Sequence, residues 1–269
     1  MELLKKEDPD LEKKFRKLCD IMKGYEGGVI AFSGGVDSSL LAFLGHHLLS
    51  KSLAVTADSP TLPRSELSEA EKFAKLYDIN HRIISHNELE DPRFVKNDEQ
   101  RCFFCKDGLF AVLNEIREKE GYDHVIDGSN FDDLDDFRPG REAAKENKVR
   151  SPLIQAELGK RDIRAISKAL NLPTWDKPQM ACLSSRFPRN MNINEEDLKK
   201  VEEAENAVKE LGYKDVRVRI HGDLARIEIG GDEDIDLKEL KELVPKIKEL
   251  GFKYVSLDLE GYRTGSLNE

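Results

Sequence analysis

Apolar and polar positions along this chain switch between a helical and a strand period, and the switches mark its elements. Leu11, Phe15, Leu18, Cys19 and Met22 recur at helical spacing and predict one amphipathic face, on which Cys19 is a packing position. Val29 to Phe32 is a short apolar run of the kind buried on both faces of a sheet. Leu40, Leu41, Phe43 and Leu44 then return to a helical pattern. A second strand at 53–57, a helix at 64–77 and a third strand at 81–85 complete a β-α-β-α-β run. That run predicts an α/β fold with a doubly wound parallel sheet. A helix through Leu109, Val112, Leu113 and Ile116, a fourth strand at 124–127 and a helix at 160–170 extend it.

After Pro188 the pattern changes. A charged helix at 195–211, alternating strands at 216–220 and 225–229, a helix at 237–250 containing Pro245, and a strand at 254–259 predict a small α+β domain. The expected division is therefore 1–188 for the nucleotide-binding domain and 189–269 for the second.

Composition narrows the function. The formal charge of −10 argues against an extended nucleic-acid surface, though a local basic pocket survives that average. The N-terminus lacks the apolar core of a signal peptide, and no apolar stretch approaches a membrane span, so a cytoplasmic protein is expected. The four cysteines then read as thiols for metal or catalytic use rather than as disulfides.

The candidate chemistry centres on Ser33-Gly34-Gly35-Val36-Asp37-Ser38-Ser39, between the first strand and its helix. Glycines let backbone N–H groups approach an anion, and the helix N-terminus adds free donors and a positive dipole end. Ser33, Ser38 and Ser39 supply hydroxyls, and Asp37 supplies a carboxylate for Mg²⁺. No lysine follows the glycines, so this is not the loop that cradles the β- and γ-phosphates of ordinary P-loop ATPases. Thr56, Ala57, Asp58 and Ser59, after the second strand, fall at the same carboxyl edge, where such sheets bind ligands. The stretch from Gly128 through Asn130 and Asp133 to Gly140 reads equally as a solvated loop or as a site for Mg²⁺ or ribose.

These residues together resemble a known family. The S-G-G-x-D-S loop is similar to that of the pyrophosphate-releasing PP-loop ATPases. Five further segments resemble the LarE sulfur transferases of nickel-pincer nucleotide cofactor synthesis: R-C-x-x-C-K, D-G-x-N-x-D-D-x-x-D-x-R-P-G, A-C-L-x-S-R-F-P, R-V-R-x-H-G with A-R-I-E, and L-D-L-E-G-Y-R. The resemblance implies adenylation of the carboxylates of a pyridinium-dicarboxylate mononucleotide by ATP and Mg²⁺, then replacement of oxygen by sulfur. It assigns Ser33, Gly34, Gly35, Asp37, Ser38 and Ser39 to the phosphates and Mg²⁺, and 56–59 to the adenosine side. Arg217 and Arg219 alternate onto one strand face and suit a substrate phosphate, with Arg186 and Arg263 as further candidates. Surface ion pairing is the other reading of these arginines.

Cys182 occupies the position of the family's sacrificial sulfur donor. Cys102 and Cys105 depart from the lone-cysteine members and are similar to the branch in which three thiolates hold a 4Fe-4S cluster with one open iron. A three-cysteine zinc site and a redox dithiol remain alternatives. All three cysteines are expected in loops that converge at the sheet's carboxyl edge. A sulfide source and a homo-oligomer formed through the small domain are implied as partners. A transfer-RNA thiolase and a non-catalytic nucleotide-binding module are the rival classes.

Overall fold

The computed structural model describes residues 8–134, 139–179, 181–230 and 233–263. These form two compact units. The first takes residues from 8–59, 64–87 and 102–179, and the second from 60–63, 88–101 and 181–263. The second unit thus joins a stretch that starts at Ala181 to two stretches from the N-terminal half. Backbone pairing is the reason. Leu183 N–H donates to the Thr61 carbonyl at 2.8 Å, and Ile193 N–H to that of Val95 at 3.0 Å.

In the first unit, helix α1 (Pro9–Lys23) starts at Asp8, whose carboxylate accepts the N–H groups of Asp10 and Leu11 at 3.1 Å. Strands β1 (Gly27–Ala31), β2 (Lys51–Asp58), β3 (His81–Ser85) and β4 (His124–Ile126) form a parallel sheet in the order β3-β2-β1-β4. Helices α2 (Val36–Leu48), α3 (Arg64–Leu76), α4 (Arg101–Glu120), α5 (Pro139–Glu146) and α6 (Lys160–Ala169) complete the α/β arrangement.

Because successive strand residues face opposite ways, β1 feeds two cores. Ile30 joins Leu18, Met22, Leu40, Leu41, Ala54, Ile163 and Ile166 on one side. Val29 joins Leu53, Val55, Phe110, Leu113 and Val125 on the other. Cys19 packs against the first core, and burial pushes its thiol pKa up.

The order places β1 between β2 and β4, so the strand order reverses there. Ligands of open α/β sheets sit outside the carboxyl ends of strands at such a reversal. The Ser33 loop follows β1, and the Gly128 loop follows β4.

The second unit has helix α7 (Glu195–Lys209), strands β5 (Val216–His221) and β6 (Leu224–Ile229), helix α8 (Leu237–Glu249) and strand β7 (Tyr254–Leu257). Its sheet is antiparallel between β5 and β6 and parallel between β6 and β7. Asn194 and Asp236 cap the two helices, and Pro245 lies inside α8. Among the described residues no helix is long and apolar enough to cross a membrane.

Two sequence expectations change. Cys102 and Cys105 are not in a loop: they lie at the start of the 20-residue helix α4, which begins at Arg101. The helix read from Leu109 onward therefore extends back through the cysteines. Asp135 and Asp136 of the acidic stretch lie outside the described residues, whereas Phe131–Leu134 forms a short 3₁₀ turn.

Candidate functional site

In the first unit the loop from Ser33 to Ser39 is tied to itself by its hydroxyls. Ser33 N–H donates to Ser38 Oγ at 3.2 Å, Ser38 Oγ donates to the Gly35 carbonyl at 3.2 Å, and the Ser33 and Ser38 hydroxyls lie 3.1 Å apart. Gly34 has φ +72°, and a Cβ there would lie 3.1 Å from Ala70 Cβ, so both its conformation and its neighbour require glycine. Ser39 is fully buried in α2, and its hydroxyl has no partner among the described residues.

Asp37 stands on the first turn of α2. Its Oδ2 is ion-paired with Lys160 Nζ, and its Oδ1 is buried with no partner among the described residues. Burial pushes its carboxyl up from the ordinary value; Lys160 opposes that shift and Asp133 adds to it. An unpartnered buried carboxylate oxygen beside a phosphate-type loop is a donor that fits a divalent cation.

The strand reversal brings the β4 loop alongside. A Cβ on Gly128 would lie 3.2 Å from the Ser38 nitrogen and 3.3 Å from Asp37 Cβ, so glycine lets the two loops touch. Asn130 Nδ2 reaches Asp37 Oδ2 at 3.5 Å, and Asn130 N–H donates to Asp133 Oδ2 at 2.9 Å. Asp132 accepts the Lys160 N–H at 2.7 Å.

The segment 56–59 divides. Thr56 is buried, and its hydroxyl is committed to the Phe32 carbonyl at 2.7 Å and to His81 Nε2 at 2.8 Å. Ala57 is half-buried at the end of β2. Asp58 pairs with Arg64, and the Ser59 carbonyl accepts from the same guanidinium at 2.6 Å.

Sequence reasoning missed two lysines. Lys160 at the start of α6 reaches Asp37. Lys177 lies 3.1 Å from the Gly34 carbonyl, 2.8 Å from Glu66 and 2.6 Å from Glu69. Neither falls in a loop motif, and their only sequence signal is a positive charge after a carboxyl-edge turn.

Cys102 is exposed and Cys105 half-buried in this unit; three residues apart on α4, they share a helix face. Cys182 belongs to the second unit and is exposed, with its Sγ 2.9 Å from the hydroxyl of fully buried Ser184. Among the described residues no group of three or more His, Cys, Asp or Glu side chains is assembled to hold a metal. The three cysteines are divided between the two units, Cys102 and Cys105 in the first and Cys182 in the second.

The turn after Cys182 is held from several directions within the second unit. Arg101 donates to the Ser184 carbonyl at 2.9 Å, and Arg186 Nη1 donates to the carbonyls of Ala181 and Cys182 at 2.7 and 3.1 Å. Arg186 is fully buried and forks onto Glu205 at 2.7 and 2.9 Å. Burial opposes its charge, but Glu205 outweighs burial and holds its pKa above the ordinary value. Arg186 is therefore a brace for the cysteine turn: its guanidinium is committed to partners inside the protein.

Arg217 and Arg219 are both buried, so they are not surface ion pairs. Arg217 lies over the Tyr262 ring, 4.7 Å from its centroid, and Arg219 lies 6.0 Å from the same centroid. Arg219 donates to Glu228 at 2.9 Å and to the Ser185 carbonyl at 2.6 Å; burial lowers its pKa against the opposing pull of Glu228. Arg263, by contrast, is exposed and pairs with Glu260 at 2.6 Å.

No family model matches the chain. An uncharacterised protein of Synechocystis sp. is 44% identical over 262 residues, covering 96% of this chain and 98% of the relative. The pyridinium-3,5-bisthiocarboxylic acid mononucleotide synthase of Lactiplantibacillus plantarum is 32% identical over 265 residues, covering 96% of this chain and 95% of that protein. The glutamine-hydrolysing GMP synthase of Thermotoga petrophila is 26% identical over 180 residues, covering 61% of this chain and 36% of that protein. With one relative matched over nearly its whole length and the PP-loop geometry in place, the chain belongs to the LarE family of ATP-dependent sulfur transferases, within the PP-loop ATPase superfamily.

Proposed function

We propose that this enzyme adenylates the carboxylates of pyridinium-3,5-dicarboxylate mononucleotide and converts them to thiocarboxylates for nickel-pincer nucleotide cofactor synthesis. The carrying observation is the Ser33–Ser39 loop, with Asp37 Oδ1 buried beside it, without a partner among the described residues, and no Walker lysine in it. The name of the Lactiplantibacillus plantarum relative supports the substrate.

A carboxylate resists substitution because it is anionic and would have to expel oxide. In the first step a carboxylate oxygen bonds to the α-phosphorus of ATP, the bond from that phosphorus to the bridging oxygen breaks, and pyrophosphate leaves. A sulfur nucleophile then attacks the acyl carbon, and AMP leaves with the former carboxylate oxygen. The loop N–H groups and the Ser33 and Ser38 hydroxyls hold the polyphosphate. Mg²⁺ on Asp37 would neutralise charge on the departing pyrophosphate. Arg217 and Arg219 are assigned to the substrate phosphate, with Tyr262 fixing their orientation.

For the sulfur, Cys102, Cys105 and Cys182 are proposed as ligands of a 4Fe-4S cluster, which would supply a sulfide without consuming the protein. The second reading, that Cys182 surrenders its own sulfur, is favoured by its exposed thiol beside Ser184. The protein is proposed to act in the cytoplasm as a homo-oligomer, taking sulfur from a sulfide source. A transfer-RNA thiolase is disfavoured by the net charge of −10.

The test is substrate-dependent release of AMP and pyrophosphate by anaerobically purified protein, with iron and sulfide counted per chain. Release of ADP and phosphate sinks adenylation. Unchanged protein mass after many turnovers supports the cluster, and a loss of about 34 Da at Cys182, the mass of hydrogen sulfide, supports sacrifice.

A further inference from the structure

We infer that Lys177 is a positioning residue for the pyrophosphate loop: by holding the Gly34 carbonyl, it turns the Gly35 N–H toward the anion. The inference rests on the pyrophosphate-loop reading and adds to it a residue outside every motif that identified the loop.

The peptide between Gly34 and Gly35 is planar, and no cis bond occurs among the described residues, so its C=O and N–H point in opposite directions. Whatever fixes the carbonyl therefore fixes the N–H. The carbonyl accepts from Lys177 Nζ at 3.1 Å. On the other side, the Gly35 N–H has, among the described residues, one long, solvent-exposed contact with Ser33 Oγ at 3.4 Å, a donor that an anionic oxygen can take over. Gly34 is free to flip in a way no other residue type is, since glycine populates positive and negative φ about equally. A loop with this freedom needs an outside restraint to hold one peptide orientation before ligand arrives.

Lys177 is built to be that restraint. Its side chain is 11% exposed, and its ammonium has three oxygen partners for its three N–H groups: Gly34 O, Glu66 Oε2 at 2.8 Å and Glu69 Oε2 at 2.6 Å. Glu66 is itself buried on the first turn of α3, where the helix dipole favours its charge. The backbone of Lys177 is also clamped. Arg164 of α6 donates to the carbonyls of Trp175 and Lys177 at 2.9 and 2.6 Å, and Lys168 sits 4.5 Å from the centroid of the Trp175 ring. Both ends of the lysine are thus fixed to the scaffold, and the remaining donor is aimed at one loop carbonyl. This is the reverse of a Walker lysine: the ammonium sits behind the loop and acts through the peptide.

The experiment measures competition of magnesium pyrophosphate and of AMP against ATP for the full-length enzyme. In Lys177→Met, pyrophosphate binding is expected to weaken about 10-fold or more, as for one lost hydrogen bond to a charged group, while AMP binding holds. Lys177→Arg, which can still donate to the carbonyl, should recover most of the loss. Because Lys177→Met strands the buried Glu66 charge and can unfold the protein, Glu66→Gln/Lys177→Met is measured beside it. Weakened pyrophosphate binding in that neutralised variant supports the assignment. Equal weakening of AMP and pyrophosphate, or no change in either, overturns it. A wild-type enzyme whose ATP is not displaced by pyrophosphate overturns the loop reading itself, and the assignment with it.

Discussion

The loop after β1 and the arginines of β5 both look like anion sites in sequence, yet they are built in opposite ways. In the loop, polar groups are aimed but uncommitted: Ser33 is exposed and, among the described residues, the Gly35 N–H has one long contact and Asp37 Oδ1 has no partner. On β5 the arginines are buried and engaged, Arg219 with Glu228 and Ser185, and Arg186 nearby with Glu205. The difference follows from desolvation. Backbone N–H groups carry partial charge and can wait beside water at little cost. A buried guanidinium needs a counter-charge at once, because an unpaired ion in the interior is penalised heavily. An anion entering the loop gains new bonds; one reaching the arginines shares cations that are already paired.

The largest effect tests the paired side of this contrast. Arg186→Ala should cost about 3–5 kcal/mol in equilibrium unfolding, since it strands buried Glu205. It should also speed alkylation of Cys182 by loosening the turn that Arg186 braces. Arg186→Met with Glu205→Leu should recover stability but not the slow alkylation. A stability loss below that range would mean that water already compensates the pair.

Next is the uncommitted side. Asp37→Ala should lower the rate of pyrophosphate release by at least about 10²-fold, the scale of a lost metal contact at a transferring phosphoryl group. Unfolding should be affected little, because Lys160 is partly exposed and can turn to solvent. If stability falls instead of rate, Asp37 is structural and the contrast fails.

Arg217→Ala and Arg219→Ala should each weaken mononucleotide binding by about 1.5–3 kcal/mol in calorimetry while leaving ATP binding intact. Arg226, 2.7 Å from Glu228, keeps that carboxylate paired when Arg219 is removed. A fall in ATP affinity would move the arginines to the nucleotide side.

The smallest effect is on pH dependence. Burial lowers the pKa of His81 in one unit and of His221 in the other. A lowered pKa favours the neutral imidazole in the folded state. Its contribution is therefore complete above the ordinary value of about 6.5 and is lost as pH falls from there through the folded pKa. Melting temperature should decline on that acid limb, and His81→Gln should flatten part of the decline. An unchanged slope would mean that His81 charges without cost beside Thr56.

How much of this was legible in sequence depends on how local each feature is. The β1 strand, the Ser33–Ser39 loop and the start of α2 are contiguous, so period and turn chemistry reveal them together. The α/β class and the small second unit follow from the same periods. The helical position of Cys102 and Cys105 was harder to see, because two cysteines and two phenylalanines in a row blur the 3.6-residue period where α4 begins.

The sequence by itself determined the chemistry on offer: a glycine loop that accepts phosphates, thiols at 102, 105 and 182, and arginines alternating along one strand. Only the tertiary structure decided which groups are engaged. It brought Lys160 and Lys177 to the loop across more than a hundred residues of chain. It closed Arg186 onto Glu205, and it assigned Ala181 onward to the second unit. The physical reason is that a backbone donor is positioned by its immediate neighbours, whereas a buried charge is positioned by its counter-ion. No local pattern says where along the chain that counter-ion will be found.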